Sequence, residues 1–287
     1  MTSIRTVKQV FESQPTLEGA GVHLNRVFGF HETPNLDPFL LLDDFHSNNP
    51  AAYLKGFPWH PHRGIETITY MLAGTVEHGD SMGNTGIITP GDVQWMTAGS
   101  GIIHQEMPKG DDDGWMAGFQ LWANLPASHK MMAPRYRDVK REHIPTVTLD
   151  NGVEIKIICG EVNGVRGPVQ DVVIDPEYLD VTIPAGTTFS HRTKAGHTVF
   201  AYTTWRSGKG SFAPGAAPVG PMHLIIFNDG NGLEITAGDE NMHFLLISGE
   251  PIREPVAWYG PIVMNTQEEL RIAFEEYRQG TFLKHNR

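Results

Sequence analysis

The chain has a single cysteine, Cys159, in 287 residues. A lone thiol excludes an intramolecular disulfide and any Cys-rich zinc site, and burial in a strand is its expected fate. Basic residues are also scarce, with Lys and Arg numbering 22 against 33 Asp and Glu, for a net charge of −11. No basic stretch is present to track a phosphate backbone, so direct nucleic-acid binding is disfavoured. The longest apolar runs, such as Phe39 to Leu42, fall far short of a bilayer span, and the N-terminal MTSIRTVKQVFESQP carries charges but no apolar signal core. A soluble cytoplasmic protein without membrane association is expected.

Turn-forming residues and histidines are plentiful: 31 glycines, 20 prolines and 14 histidines. The glycines and prolines punctuate short alternating or β-branched runs, the pattern of an all-β sandwich or barrel. Expected strands include Glu66–Leu72, Gly86–Thr89, Phe119–Ala123, Ile155–Cys159, Val199–Thr203, His223–Asn228 and His243–Ile247. Near the end, Leu270, Ala273, Phe274 and Tyr277 recur at helical spacing behind Thr266 and Glu269, with Gly280 beyond them. That spacing predicts a capped amphipathic helix packed on a barrel wall. Thr89-Pro90-Gly91-Asp92 before Met96 echoes Thr236-Ala237-Gly238-Asp239 before Met242, which suggests duplication. A polar connection from Pro126 to Pro145 marks the seam, giving expected domains of 1–135 and 136–287.

The chemistry concentrates in two stretches. In Phe57-Pro58-Trp59-His60-Pro61-His62-Arg63-Gly64, the histidines lie two apart, and Pro61 keeps the backbone at His60 out of the helical region. Both rings therefore point to one face. Gly101-Ile102-Ile103-His104-Gln105-Glu106 repeats the spacing with a histidine and a carboxylate. Alone, a His-x-His is more often solvated or hydrogen-bonded than a ligand; two such strands facing each other would converge four donors on one metal. Neutral imidazoles with a carboxylate suit iron, nickel, copper, manganese or zinc. Phe45, Trp59, Trp95, Met96 and Gln120 flank the motifs and are candidates for a pocket wall, with strand-core packing the alternative.

His60-x-His62-x3-Glu66-x7-Gly74 is similar to the first cupin motif, and Gly101-x2-His104 to the end of the second. FLLLDDF, GFPWHPHRGIETITYMLAGTVEH, PGDVQWMTAGSGIIHQEMP and FQLWANLP resemble the pirin family, densely from Asn35 to Asp138, and NTQEELRIAFEEYRQGTF resembles its C-terminal helix. The resemblance implies a bicupin of two β-barrels face to face, with one divalent metal, iron(II) foremost, in the N-terminal barrel. The implied ligands are His60, His62, His104 and Glu106, with Glu66 structural. His191, His197, His223 and His243 reproduce no paired motif, so a metal-free second barrel is expected.

Three functions follow as expectations. The resemblance implies a dioxygenase of the quercetin (flavonol) 2,3-dioxygenase type, in which Glu106 would take the proton of the substrate's 3-hydroxyl. The alternative it implies is a redox-sensing regulator that binds a transcription factor or a metabolic enzyme. A sugar isomerase ranks below both, because phosphorylated substrates call for a cationic cluster. Only Arg63 is near, and pairing with Glu66 would account for it.

Overall fold

The computed structural model describes residues 2–31 and 36–285. Asn35, where the pirin-like stretch begins, lies outside the described residues. The chain runs through Val7–Glu12 (β1), Gln14–Glu18 (β2), Val22–Phe28 (β3), Phe39–Ser47 (β4), Phe57–His62 (β5), Ile65–Ala73 (β6), Thr75–Asp80 (β7), Thr85–Ile88 (β8), Val93–Thr97 (β9), Ile102–Lys109 (β10), Met116–Asn124 (β11) and Arg135–Val139 (β12). It continues through Thr146–Thr148 (β13), Glu154–Cys159 (β14), Glu161–Val162 (β15), Val165–Arg166 (β16), Glu177–Ile183 (β17), Thr188–Arg192 (β18), Thr198–Thr203 (β19), Gly210–Ser211 (β20), His223–Phe227 (β21), Gly232–Ala237 (β22) and Met242–Gly249 (β23). Ala257–Tyr259 (β24), Ile262–Met264 (β25) and the helix Gln267–Gln279 (α1) follow. Each expected strand is present, with ends shifted by a few residues at most.

Two compact units emerge: Pro15–Phe30, Phe39–Arg141 and Ile252–Arg287 form one, and Met1–Gln14, His31–Pro38 and Glu142–Pro251 the other. The single cut expected at 135/136 is thus corrected at both chain ends. β1 pairs antiparallel with β21 at the edge of the later unit's sheet, where an open ladder accepts a strand from any distance along the chain. At the other end, Leu270 and Ala273 of α1 cluster with Ile262, Met264 and Phe282, against Ile103 of the earlier unit. Thr266 and Glu269 form the expected reciprocal cap, and Gly280 ends the helix at φ 73°. No helix among the described residues is long and apolar enough to cross a membrane.

The earlier unit pairs a sheet of order β12-β9-β6-β11-β4-β3-β2 with one of order β5-β10-β7-β8; the later pairs β1-β21-β19-β23-β17-β14-β13 with β18-β22-β20. The shared order equates β9 with β21 and β11 with β23, so the duplication is architectural. The Gly-Asp echo is out of register with it, preceding β9 in one unit and β23 in the other. Asp92 caps its own turn, accepting from the Thr89 backbone N and Oγ1, whereas Asp239 is exposed.

The same equivalence sets β18 and β22 in the places of β5 and β10. There Phe189, Leu233 and Ile235 are buried in an apolar core with Phe212, Phe227 and Phe244. The histidines of this unit are dispersed: His191 meets Glu177, His223 the carbonyl of Pro221, and His243 bridges Asp180 and Thr204. His197 lies 3.8 Å from Asp175. Cys159 is buried at the end of β14, as expected.

Candidate metal centre

Pro58 and Pro61 hold β5 extended, so His60 and His62 project from one face. β10 lies antiparallel beside it, with His104 opposite His60 and Ile102 opposite His62. Three imidazoles meet as a result. His60 Nε2 is 3.1 Å from His62 Nε2 and 2.9 Å from His104 Nε2, and one nitrogen from each ring lies within 4.8 Å of the others.

Hydrogen bonds at the far sides of two rings decide what these nitrogens are. His60 Nδ1 donates to the Pro58 carbonyl at 2.8 Å and His62 Nδ1 to the Pro261 carbonyl at 3.0 Å. A carbonyl only accepts, so the proton of each neutral ring sits on Nδ1 and the Nε2 lone pairs face each other. Two lone pairs at that distance repel unless a cation lies between them. A shared proton is disfavoured, because burial holds His62 and His104 well below the ordinary histidine range, with neighbouring imidazoles adding to the effect. The residues therefore fit a borderline divalent cation. His104 Nδ1, also buried, has no hydrogen-bond partner among the described residues; beside that ring stands His78, 5.3 Å between centroids.

Glu106 shares the buried face of β10 with His104 but is not part of the three-histidine group. A register shift between His104 and Glu106 against β5 breaks the alternation there. The Glu106 carboxylate accepts from Thr69 Oγ1 at 3.0 Å, and the same hydroxyl lies 2.7 Å from Gln120 Oε1. A hydroxyl has one hydrogen, so while Thr69 donates to Glu106 the Gln120 amide must turn its NH2 towards Thr69.

The turns that carry these strands are tied down. Gly64 has φ 78°, and a Cβ there would sit 2.0 Å from the Val263 carbonyl, so only glycine lets the chain pass. Lys130 Nζ donates to Gly64 O, Asn124 Oδ1 and Val263 O at 2.9, 2.7 and 2.9 Å, and its burial lowers its pKa to about 7. Arg63 does not pair with Glu66 as expected. Its guanidinium binds Ser100 O, Glu276 and Phe282 O, each at 2.7 Å, and lies over the Phe282 ring. Glu66 and Thr69 are three apart on β6, so Glu66 faces away from the histidines and accepts instead from Thr97.

A cavity of about 830 Å³ opens at the centre, bordered by His60, His62, Thr69 and Glu106. Trp122 stands edge-on to His62 at 5.1 Å and meets Trp258 at 6.0 Å. Of the expected wall residues, Phe45 and Gln120 line it; Trp59 is half exposed, Trp95 is buried on the other face of the sheet, and Met96 belongs to a core cluster. Sequence reasoning missed Trp122, although its spacing of two from Gln120 puts both on one face of β11. It also missed Arg26, which lies in no quoted motif, and Asp43, although Asp43 lies within FLLLDDF.

Two barrels and, among the described residues, a histidine cluster bordering an aromatic cavity through His60 and His62 define a bicupin with a candidate metal centre. Residues 21–123 match the family described as Pirin, and residues 178–283 match the Pirin C-terminal cupin domain. A pirin-like protein of Caulobacter vibrioides is 43% identical, the match covering 97% of this chain and 99% of that one. Mouse pirin is 41% identical, over 97% of this chain and 94% of its own. A crystal structure of a quercetin 2,3-dioxygenase from Acinetobacter baumannii superposes with a TM-score of 0.89 at 29% identity, covering 98% of this chain and 99% of that one. The chain belongs to the pirin family.

Proposed function

We propose that this protein is a metal-dependent dioxygenase that cleaves flavonols, with His60, His62, His104 and Glu106 holding one divalent transition metal, iron(II) foremost, and that it acts in the cytoplasm. The observation that carries the reading is the convergence of three imidazoles, those of His62 and His104 buried and that of His60 half-buried, where His60, His62 and the Glu106 carboxylate border an aromatic cavity. Likeness to the Acinetobacter protein, which bears the name of that activity, supports it. The cavity volume of about 830 Å³ lies within the range that encloses a ligand of this size.

When bound, the metal would polarise a chelating pair of substrate oxygens and favour reaction beside dioxygen. The protein's own groups do the rest. Glu106 takes the proton of the flavonol 3-hydroxyl, and Thr69 holds the carboxylate in position for it. Trp122 and Trp258 flank the flat rings, exclude water and restrict orientation.

Metal analysis of purified protein, followed by turnover of quercetin normalised to bound metal, tests the reading. Glu106→Gln should lower turnover by roughly a hundredfold or more, beyond any change in metal content, because it keeps an oxygen ligand but removes the base. Equal turnover per metal in variant and wild type would reject Glu106 as the base.

A further inference from the structure

Across the inner face of the earlier unit's larger sheet runs an unbroken polar row. Arg26 on β3 stands opposite Asp43 on β4, Asp43 opposite Gln120 on β11, Gln120 opposite Thr69 on β6, Thr69 opposite Gln94 on β9, and Gln94 opposite Asp138 on β12. Directly opposed residues of antiparallel strands project on the same side. The neighbouring rows are largely apolar, Phe45, Gly118 and Met71 on one side and Leu41, Trp122, Thr67 and Met96 on the other. Such a row weakens a core unless it has partners to satisfy.

Four of its members, Arg26, Asp43, Gln120 and Thr69, line the cavity. Thr69 touches Glu106 at the histidine end. Adjacent strands are 4.7–4.9 Å apart, so Asp43, two strands further, lies about 10 Å along the wall. Its carboxylate is gripped by Arg26 through Nε and Nη2 at 2.8 and 2.9 Å, and Arg26 also meets Glu18 at 2.9 Å. Each Asp43 oxygen takes one of those bonds and keeps a second accepting direction. Glu18 and Asp43 border the cavity with Arg26 as their shared counter-charge, so the wall remote from the histidines presents acceptor oxygens that welcome hydrogen-bond donors.

We propose that Asp43, braced by Arg26 and followed by Gln120, is the specificity-determining residue of the cavity. It accepts hydrogen bonds from phenolic hydroxyls at the end of a flat ligand remote from the histidines. The site thereby selects polyphenols whose second ring is hydroxylated over those whose second ring is bare. The inference rests on the flavonol reading above and adds to it the part of the substrate that is recognised.

Galangin, kaempferol and quercetin share one chelating end and carry none, one and two hydroxyls on the second ring. Their anaerobic binding to metal-loaded and metal-free protein is read by quenching of tryptophan fluorescence. Wild type should bind quercetin roughly ten- to hundredfold more tightly than galangin, the span of a hydrogen bond to a charged group. Asp43→Asn, which preserves volume, should leave galangin binding unchanged and compress the series to within about threefold. If circular dichroism shows that variant unfolded, Gln120→Leu serves instead and should weaken quercetin more than galangin. A flat wild-type series, an Asp43→Asn protein that discriminates as wild type does, or equal weakening of all three ligands by Gln120→Leu overturns the assignment while flavonol binding stands. Failure of all three flavonols to bind overturns the flavonol reading along with it.

Discussion

Arg63→Met removes a guanidinium that joins the histidine-bearing turn to the C-terminal helix. Arg63 is 2% exposed and makes three hydrogen bonds, one to Glu276, whose side chain is 22% exposed. Methionine keeps much of the packing against Phe282 and none of the donors. A hydrogen bond between charged partners is worth about 1.5–3 kcal/mol when buried, and the exposure of Glu276 brings it to about 1–2 kcal/mol. The Ser100 and Phe282 carbonyls lose their donor at a cost of about 1 kcal/mol each. The variant should therefore be destabilised by about 3–5 kcal/mol with the lost stacking included, measured by urea unfolding. A double-mutant cycle separates the partners. Coupling of Arg63 to Glu276, probed with Glu276→Gln, should be about 1–2 kcal/mol, and coupling to Glu66, probed with Glu66→Gln, within about 0.5 kcal/mol of zero. Stronger coupling to Glu66 than to Glu276 would refute the packing described.

His62→Ala should lower metal occupancy to below roughly a tenth of wild type while circular dichroism stays that of the folded protein, since the barrel cores do not depend on the site. In contrast, His197→Ala and His243→Ala should leave occupancy unchanged; His243→Ala should still lower the melting temperature, because it strips Asp180, buried at 2% exposure, of its imidazole partner. Lys130 gives a pH dependence of definite sign. With its pKa lowered from 10.5 to about 7, the folded state binds fewer protons than the unfolded one between those values, so the urea midpoint should rise with pH across that window. Lys130→Met should flatten the rise, and an unchanged slope in the variant would exclude the group.

The parts of the account legible in the sequence are those set by local geometry. The two-residue spacing of His60 and His62 needs only an extended backbone, which the flanking prolines impose. The helix ends were legible for the same reason, since Thr266, Glu269 and Gly280 act within one turn. What escaped depends on partners far along the chain. Arg63 finds Glu276 and Phe282 more than two hundred residues away instead of Glu66 three residues on. Glu106 turns to Thr69, 37 residues back, a contact no spacing announces. Trp95 and Trp122 both flank motifs, yet strand parity and register set one on the far face and the other beside His62. The exchange of chain ends between units was hidden likewise, because the partner of β1 lies beyond residue 220.

Carbon monoxide release is the direct readout of flavonol cleavage at the histidine site. Protein loaded in turn with iron, nickel, copper or manganese is mixed with quercetin under labelled dioxygen, and headspace gas and ring-opened product are quantified per bound metal. Carbon monoxide and depside should form in equal amounts, with both labelled oxygen atoms in the depside and none in the carbon monoxide, and His62→Ala protein should yield neither. Fully loaded protein that binds quercetin yet forms no carbon monoxide with any of these metals would contradict it, and a regulator acting through a protein partner would take its place.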